Sequence, residues 1–117
     1  GKMRPGKVFL SEKLGANGAE ISLNRLEPGQ GYPFLHKHKR HEEIYLVISG
    51  KGEFQVDGEI VPVQEGSVLR IAPEGVRSLR AAADEPLCFA CIQAVAGTLS
   101  ERTVSDGEIV PGRVKWE

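Results

Sequence analysis

Residues 36–50 read HKHKRHEEIYLVISG, and all three histidines of the chain fall in the first six positions of that stretch. His36 and His38 are separated by one residue. On an extended backbone, side chains two apart point to one face, so the two imidazoles can aim at one spot. Glu43 follows after the polar link Lys39-Arg40-His41-Glu42. A turn of the chain there would return the Glu43 carboxylate to the same spot. Two imidazoles and one carboxylate form a donor set for a divalent cation, with Zn, Ni, Fe and Mn all admissible. Coordination positions would stay open for water or substrate, as a reactive centre needs. His41, in the link, is a further candidate ligand; beside Lys39 and Arg40 it reads equally as a solvated loop residue.

The elements that must position these groups are short. EIYLVIS (43–49) is dense in β-branched and aromatic residues. Tyr45 and Val47 share parity with Glu43 and should line the same interior. YPFLHKH (32–38) reads as extended, because Pro33 disfavours helix before it. GEFQVDGEIVPV (52–63) is two alternating runs around Asp57-Gly58, the pair favoured by a two-residue type I′ hairpin. AEISLNRL (19–26), SVLRIAP (67–73), VRSLRA (76–81) and LCFACIQAV (87–95) complete about eight short strands with turns between them. That is the pattern of an all-β barrel or sandwich. No window holds a helical period long enough to predict a helix. Gln93 stands in an otherwise apolar strand and can reach the cavity as a neutral hydrogen-bonding group. The two late apolar patches in the tail, Ile109-Val110 and Val114-Trp116, suggest a segment that wraps the outside or pairs at a dimer interface.

Cys88 and Cys91 form a C-x-x-C, which elsewhere can mean redox chemistry or half a zinc site. On a strand, residues three apart face opposite ways, so these thiols cannot close on each other or share a metal. They read as small buried residues.

The chain has 117 residues, enough to bury a self-sufficient core as one domain over 1–117, with the barrel at about 19–95. A net charge of -1 and the lack of a basic face argue against nucleic acid or a lipid surface. No apolar run approaches the ~20 residues of a membrane span. With no charged-then-apolar leader, the expectation is a cytoplasmic protein. Gly1, with Met3 close behind, is set aside as an added residue.

The spacing around the histidines resembles the first motif of the cupin family, G-x5-H-x-H-x3,4-E-x6-G. His36, His38, Glu43 and Gly50 fit it, and Gly31 stands one residue closer to His36 than the pattern has it. GKGEFQVDGE (50–59) looks like the family's following hairpin, and the resemblance covers about residues 20–95. It implies a β-barrel of jelly-roll type, the double-stranded β-helix, with a metal inside and a small-molecule ligand. It also implies a homodimer, often with exchanged terminal strands. The second motif, G-x5-P-x-G-x2-H-x3-N, is altered. Gly66, Pro73 and Gly75 match, with one extra residue between Gly66 and Pro73, but the histidine position falls on Ser78 or Arg77, and the asparagine is missing.

That departure leaves alternatives open. The metal is held by His36, His38 and Glu43 alone, or His41 joins them. Or there is no metal, and Arg77 offers its guanidinium to an anionic or sugar-like ligand. Of Arg70, Arg77 and Arg80, Arg77 is the one expected to face the cavity. The resemblance implies a metal-dependent isomerase, dioxygenase or lyase, a binding module without turnover, or a purely structural barrel. The candidate pocket comprises Tyr45, Arg77, Ser78 and Gln93 around the metal set.

Overall fold

The computed structural model describes residues 6–116; residues 1–5, with the expectation placed on Gly1, and Glu117 lie outside it. Eight strands and one short helix follow one another: β1 (Gly6–Phe9), α1 (Ser11–Leu14), β2 (Glu20–Leu26), β3 (His41–Ser49), β4 (Lys51–Val56), β5 (Glu59–Gln64), β6 (Val68–Ile71), β7 (Arg77–Ala81) and β8 (Leu87–Val95). They form two antiparallel sheets, in the orders β1-β2-β8-β3-β6 and β5-β4-β7. This is the expected jelly roll.

The tightest local determinant is the β4–β5 hairpin. Asp57 and Gly58 both take positive φ, 49° and 84°, and Phe54 pairs with Val61 across the turn. Primed turns need such angles, because their twist matches that of the flanking strands. The sheets face each other over Leu26, Tyr45, Val47, Phe54, Val63, Ile71, Leu79, Ala81, Leu87, Phe89 and Cys91.

Two features depart from the sequence reading. The segment 32–38 is not a strand of either sheet. It pairs with β7 through isolated bridges, Gly31 to Arg80 and His36 to Arg77. Pro33 has no N–H to donate, so a continuous ladder cannot run through it. An eighth strand exists instead at Gly6–Phe9, an edge ribbon too short for alternation to reveal. In β2, Ser22, Asn24 and Leu26 are buried while Ile21 and Leu23 are partly exposed. The polar pair faces the interior, with Asn24 Nδ2 donating to Ser22 Oγ at 3.0 Å.

Candidate metal centre

β3 carries Glu43, Tyr45 and Val47 inward and Glu42, Ile44 and Leu46 outward. Glu43 is buried at the end of this inner row, opposite Gln93 of β8. Glu42 takes the other face, where it accepts from Arg70 at 2.9 Å. The segment before β3 is held against β7 by backbone bonds. His36 N–H donates to Arg77 O, and Arg77 N–H returns the bond to His36 O. Two residues on, His38 N–H donates to Pro73 O. These anchors, and not a strand, bring the two imidazoles together; their rings lie 5.3 Å apart, edge to face.

Both rings face Glu43. His38 Nε2 is 3.2 Å from Glu43 Oε2, and His36 Nε2 is 3.9 Å from Oε1. One donor atom from each of the three residues falls within 4.8 Å of the other two. His38 Nε2 is buried and lacks a hydrogen-bond partner despite its closeness to the carboxylate. A buried nitrogen lone pair left without a donor normally costs free energy.

The carboxylate has further partners. Tyr45 OH donates to Oε1 at 2.7 Å, and Cys91 Sγ approaches Oε2 at 3.4 Å. Arg77 Nε stands 3.3 Å from Oε1, and the Arg77 side chain is 0% exposed. Its other nitrogens are committed to the loop before β7. Nη1 donates to Gly75 O at 2.8 Å and to Pro73 O at 3.3 Å, and Nη2 to Ala72 O at 3.2 Å. The guanidinium therefore clamps that loop with one edge and faces Glu43 with its Nε.

Burial holds His36 below the ordinary imidazole range; Glu43 pulls it back up, while Arg77 and His38 push it further down. A neutral imidazole is the form that binds a cation. Burial, reinforced by Cys91 and then by the charge on Glu43, pushes the Tyr45 phenol far up, so it remains a donor.

The remaining expected site residues make other contacts; the His41 ring stacks 6.2 Å from that of His38. His41 is the first residue of β3, outside the three-residue cluster, and its Nδ1 lies 3.1 Å from Gln93 Oε1. Together they border a surface hollow with Ser11 and Glu20. Ser78 alternates with Arg77 along β7 and so takes the opposite face, where its hydroxyl donates to Tyr32 O at 3.0 Å. Arg80 pairs with Glu53 at the surface. Of the three arginines, only Arg77 turns inward.

Cys91 is the group that sequence reasoning left out of the site. Its pairing with Tyr45 across β3 and β8 puts it on the inner face, and parity with Gln93 was the available signal. Cys88 is buried on the outer face, 3.9 Å from Arg25 Nη1, so the two free thiols point apart. Burial, with the charge on Glu43 second, pushes the Cys91 thiol up to about 12. Neither thiol is expected to react with an aromatic disulfide reagent in the folded protein, and both should react in denaturant. Stoichiometric labelling of native protein at neutral pH would show that solvent reaches the interior beside Glu43.

Residues 22–93 match the family model described as Cupin domain. A cupin protein from Bacteroides fragilis, known from a crystal structure, is 45% identical and superposes with a TM-score of 0.88, covering 95% of this chain and 94% of its own. A predicted oxalate decarboxylase from Thermotoga maritima is 27% identical, with a TM-score of 0.68 over 76% of this chain and 78% of its own. An uncharacterized protein of Methanocaldococcus jannaschii is 33% identical over 57 residues, 49% of this chain. The chain matches 46% of that protein, so it spans about half the length of this curated relative. Among the described residues, no helix is long and apolar enough to cross a membrane.

Proposed function

The chain belongs to the cupin domain family, and from that premise we propose that it holds a divalent metal at His36, His38 and Glu43 and binds a small anionic molecule beside it. The observation that carries this is the orphaned His38 Nε2, buried and directed at the same carboxylate that His36 approaches. A cation between the three groups would satisfy that nitrogen, and the donor set suits Zn, Ni, Fe or Mn. The residues present therefore fit a metal, which when bound would supply Lewis acidity to a ligand.

The rest of the chemistry belongs to the chain. Tyr45 OH and Arg77 Nε both engage Glu43 Oε1, leaving Oε2, on the His38 side, as the oxygen better placed for a cation. Arg77 adds a fixed positive charge to the centre, and Lys7, exposed on β1 opposite Asn24 with its Nζ 5.7 Å from the Tyr32 ring centroid, adds another that reaches His36. An anion is the ligand class this field favours. Oxalate, named for the Thermotoga maritima protein, is a small dianion of that class. Phe34, exposed with its ring 6.0 Å from that of His36, offers an apolar rim. Direct capture of an anion by Arg77 without a metal is less well supported, because its fork already serves three backbone carbonyls.

Metal analysis of the purified protein tests the reading. About one equivalent of divalent metal per chain is expected, falling at least tenfold in His36→Ala and in His38→Ala, since the loss of one ligand from three removes much of the affinity. In the loaded protein, small dicarboxylates should raise the thermal midpoint, because a ligand of the folded state stabilises it. Protein that takes up no metal from a stoichiometric supply, or variants that keep it, would end the proposal.

A further inference from the structure

One seam of the barrel is closed by side chains instead of backbone hydrogen bonds. β1 pairs with β2 alone and ends its sheet, while His36 and Tyr32 bond to β7 of the other sheet. Among the described residues, no backbone bond joins β1 to the segment 31–38. Lys7 and Phe9 of β1 stand directly opposite Asn24 and Ser22. Paired residues share a face, so Lys7 and Phe9 lie on the same side of the sheet as the buried Asn24 and Ser22. From there the Lys7 ammonium reaches across the seam. It lies 5.6 Å from the ring centroid of Phe9 and 5.7 Å from that of Tyr32, within cation–π range of both.

Beyond Tyr32 the rings continue toward the candidate centre. Tyr32 is 5.8 Å from Phe34, and Phe34 is 6.0 Å from His36. This wall of rings begins at an imidazole of the metal set and ends in water, with Phe34 56% and Phe9 50% exposed. Aromatic surface beside a few convergent polar groups is the usual lining of a small-molecule site.

Two polar groups in the seam lack a partner. No carboxylate pairs with Lys7 among the described residues. Asn24, 1% exposed, commits its Nδ2 to Ser22 Oγ and the Phe89 carbonyl, which leaves its Oδ1 buried without a donor. A ring entering the seam would take the place of the ammonium against Tyr32. The displaced cation then has the oxygen of the residue opposite to turn to.

We infer that the anion bound at this centre carries an aromatic ring, and that its class is the aryl carboxylates. The inference rests on the metal reading above and narrows its ligand. The carboxylate lies in the positive field of the metal, Arg77 and Lys7. The attached ring lies along Phe34 and Tyr32, with Phe9 on the other side of the seam. A bare dianion such as oxalate would meet the charges and leave those rings in water. Ring contacts in tilted geometry add to the burial that an aryl group gains there.

Calorimetric titration of the zinc-loaded protein with benzoate, cyclohexanecarboxylate and acetate is the experiment, with zinc assayed in every sample. The three ligands share one charge and differ in the body attached to it. Benzoate is expected to bind at least about tenfold more tightly than acetate, with cyclohexanecarboxylate between them. Phe34→Ala, at an exposed position, should cut the benzoate-to-acetate ratio by at least about fivefold. Equal affinity for benzoate and acetate overturns the inference and leaves the metal centre standing. So does a ratio that survives Phe34→Ala, or cyclohexanecarboxylate bound as tightly as benzoate, which would mean that the wall recognises bulk alone. Protein that holds no zinc overturns the metal reading, and this inference with it.

Discussion

Arg77→Met is expected to cost about 3–5 kcal/mol of folding stability, the usual penalty for removing one member of a buried ion pair. Arg77 is fully buried, and Glu43 would lose the positive charge now 3.3 Å from its Oε1. The carbonyls of Ala72, Pro73 and Gly75 would lose their donors as well, releasing the loop that holds His38 N–H. Against a total stability of about 5–15 kcal/mol, this brings the chain close to unfolding. Urea unfolding in the presence of a chelator measures the loss. Excess divalent cation should recover part of it, because a metal on the cluster takes over the neutralisation of Glu43. The cluster balances one buried carboxylate against one buried guanidinium, so a +2 ion added to it meets repulsion from Arg77. The same variant, where folded, should therefore bind the ion at least tenfold more tightly than the parent. A midpoint unchanged in chelator would show that Arg77 does not organise this centre.

Gly50→Ala is expected to be comparably damaging for a different reason. Gly50 closes β3 into β4 at φ 90°, a region that L side chains rarely adopt. A Cβ there would also overlap the carbonyl oxygen of Pro86. The conformational penalty is about 1–3 kcal/mol and displacement of packed backbone about 1–3 more. Since Pro86 leads into β8, the disturbance reaches the pairing of β8 with β3, which presents Cys91 beside Glu43. Thermal unfolding should show a fall of at least about 8 °C, at about 4–8 °C per kcal/mol for a domain near this size. Parental stability in this variant would mean that β8 has room to retreat.

Much of this was readable from residue order. Asp57-Gly58 announced its hairpin, and the density of β-branched residues in EIYLVIS marked β3. The spacing of the cupin motif that the segment resembles then separated Glu43 from Glu42. The placement of β2 was not readable. Ile21 and Leu23 look like the core-facing pair, yet Ser22 and Asn24 occupy the interior. Local alternation fixes which residues share a face, but not which face is covered. That is decided by pairing with β8, where Ser22 meets Cys91 and Asn24 meets Phe89. An outer face that is itself apolar removes the usual contrast between the two sides.

The candidate centre divides along the same line. Residue spacing suggested His36, His38 and Glu43 as a donor set, and the resemblance to the cupin motifs showed that no histidine stood in the second one. What replaced that histidine depended on the whole molecule. Arg77 is aimed inward by its parity with Leu79 and Ala81 on β7, and held there by carbonyls two to five residues before it. Its charge became part of the site only because β7 and β3, which carry Arg77 and Glu43 34 residues apart in the chain, lie on facing sheets. Spacing along a chain determines which groups can share a face; only the packing of distant strands determines which charges then meet across the interior.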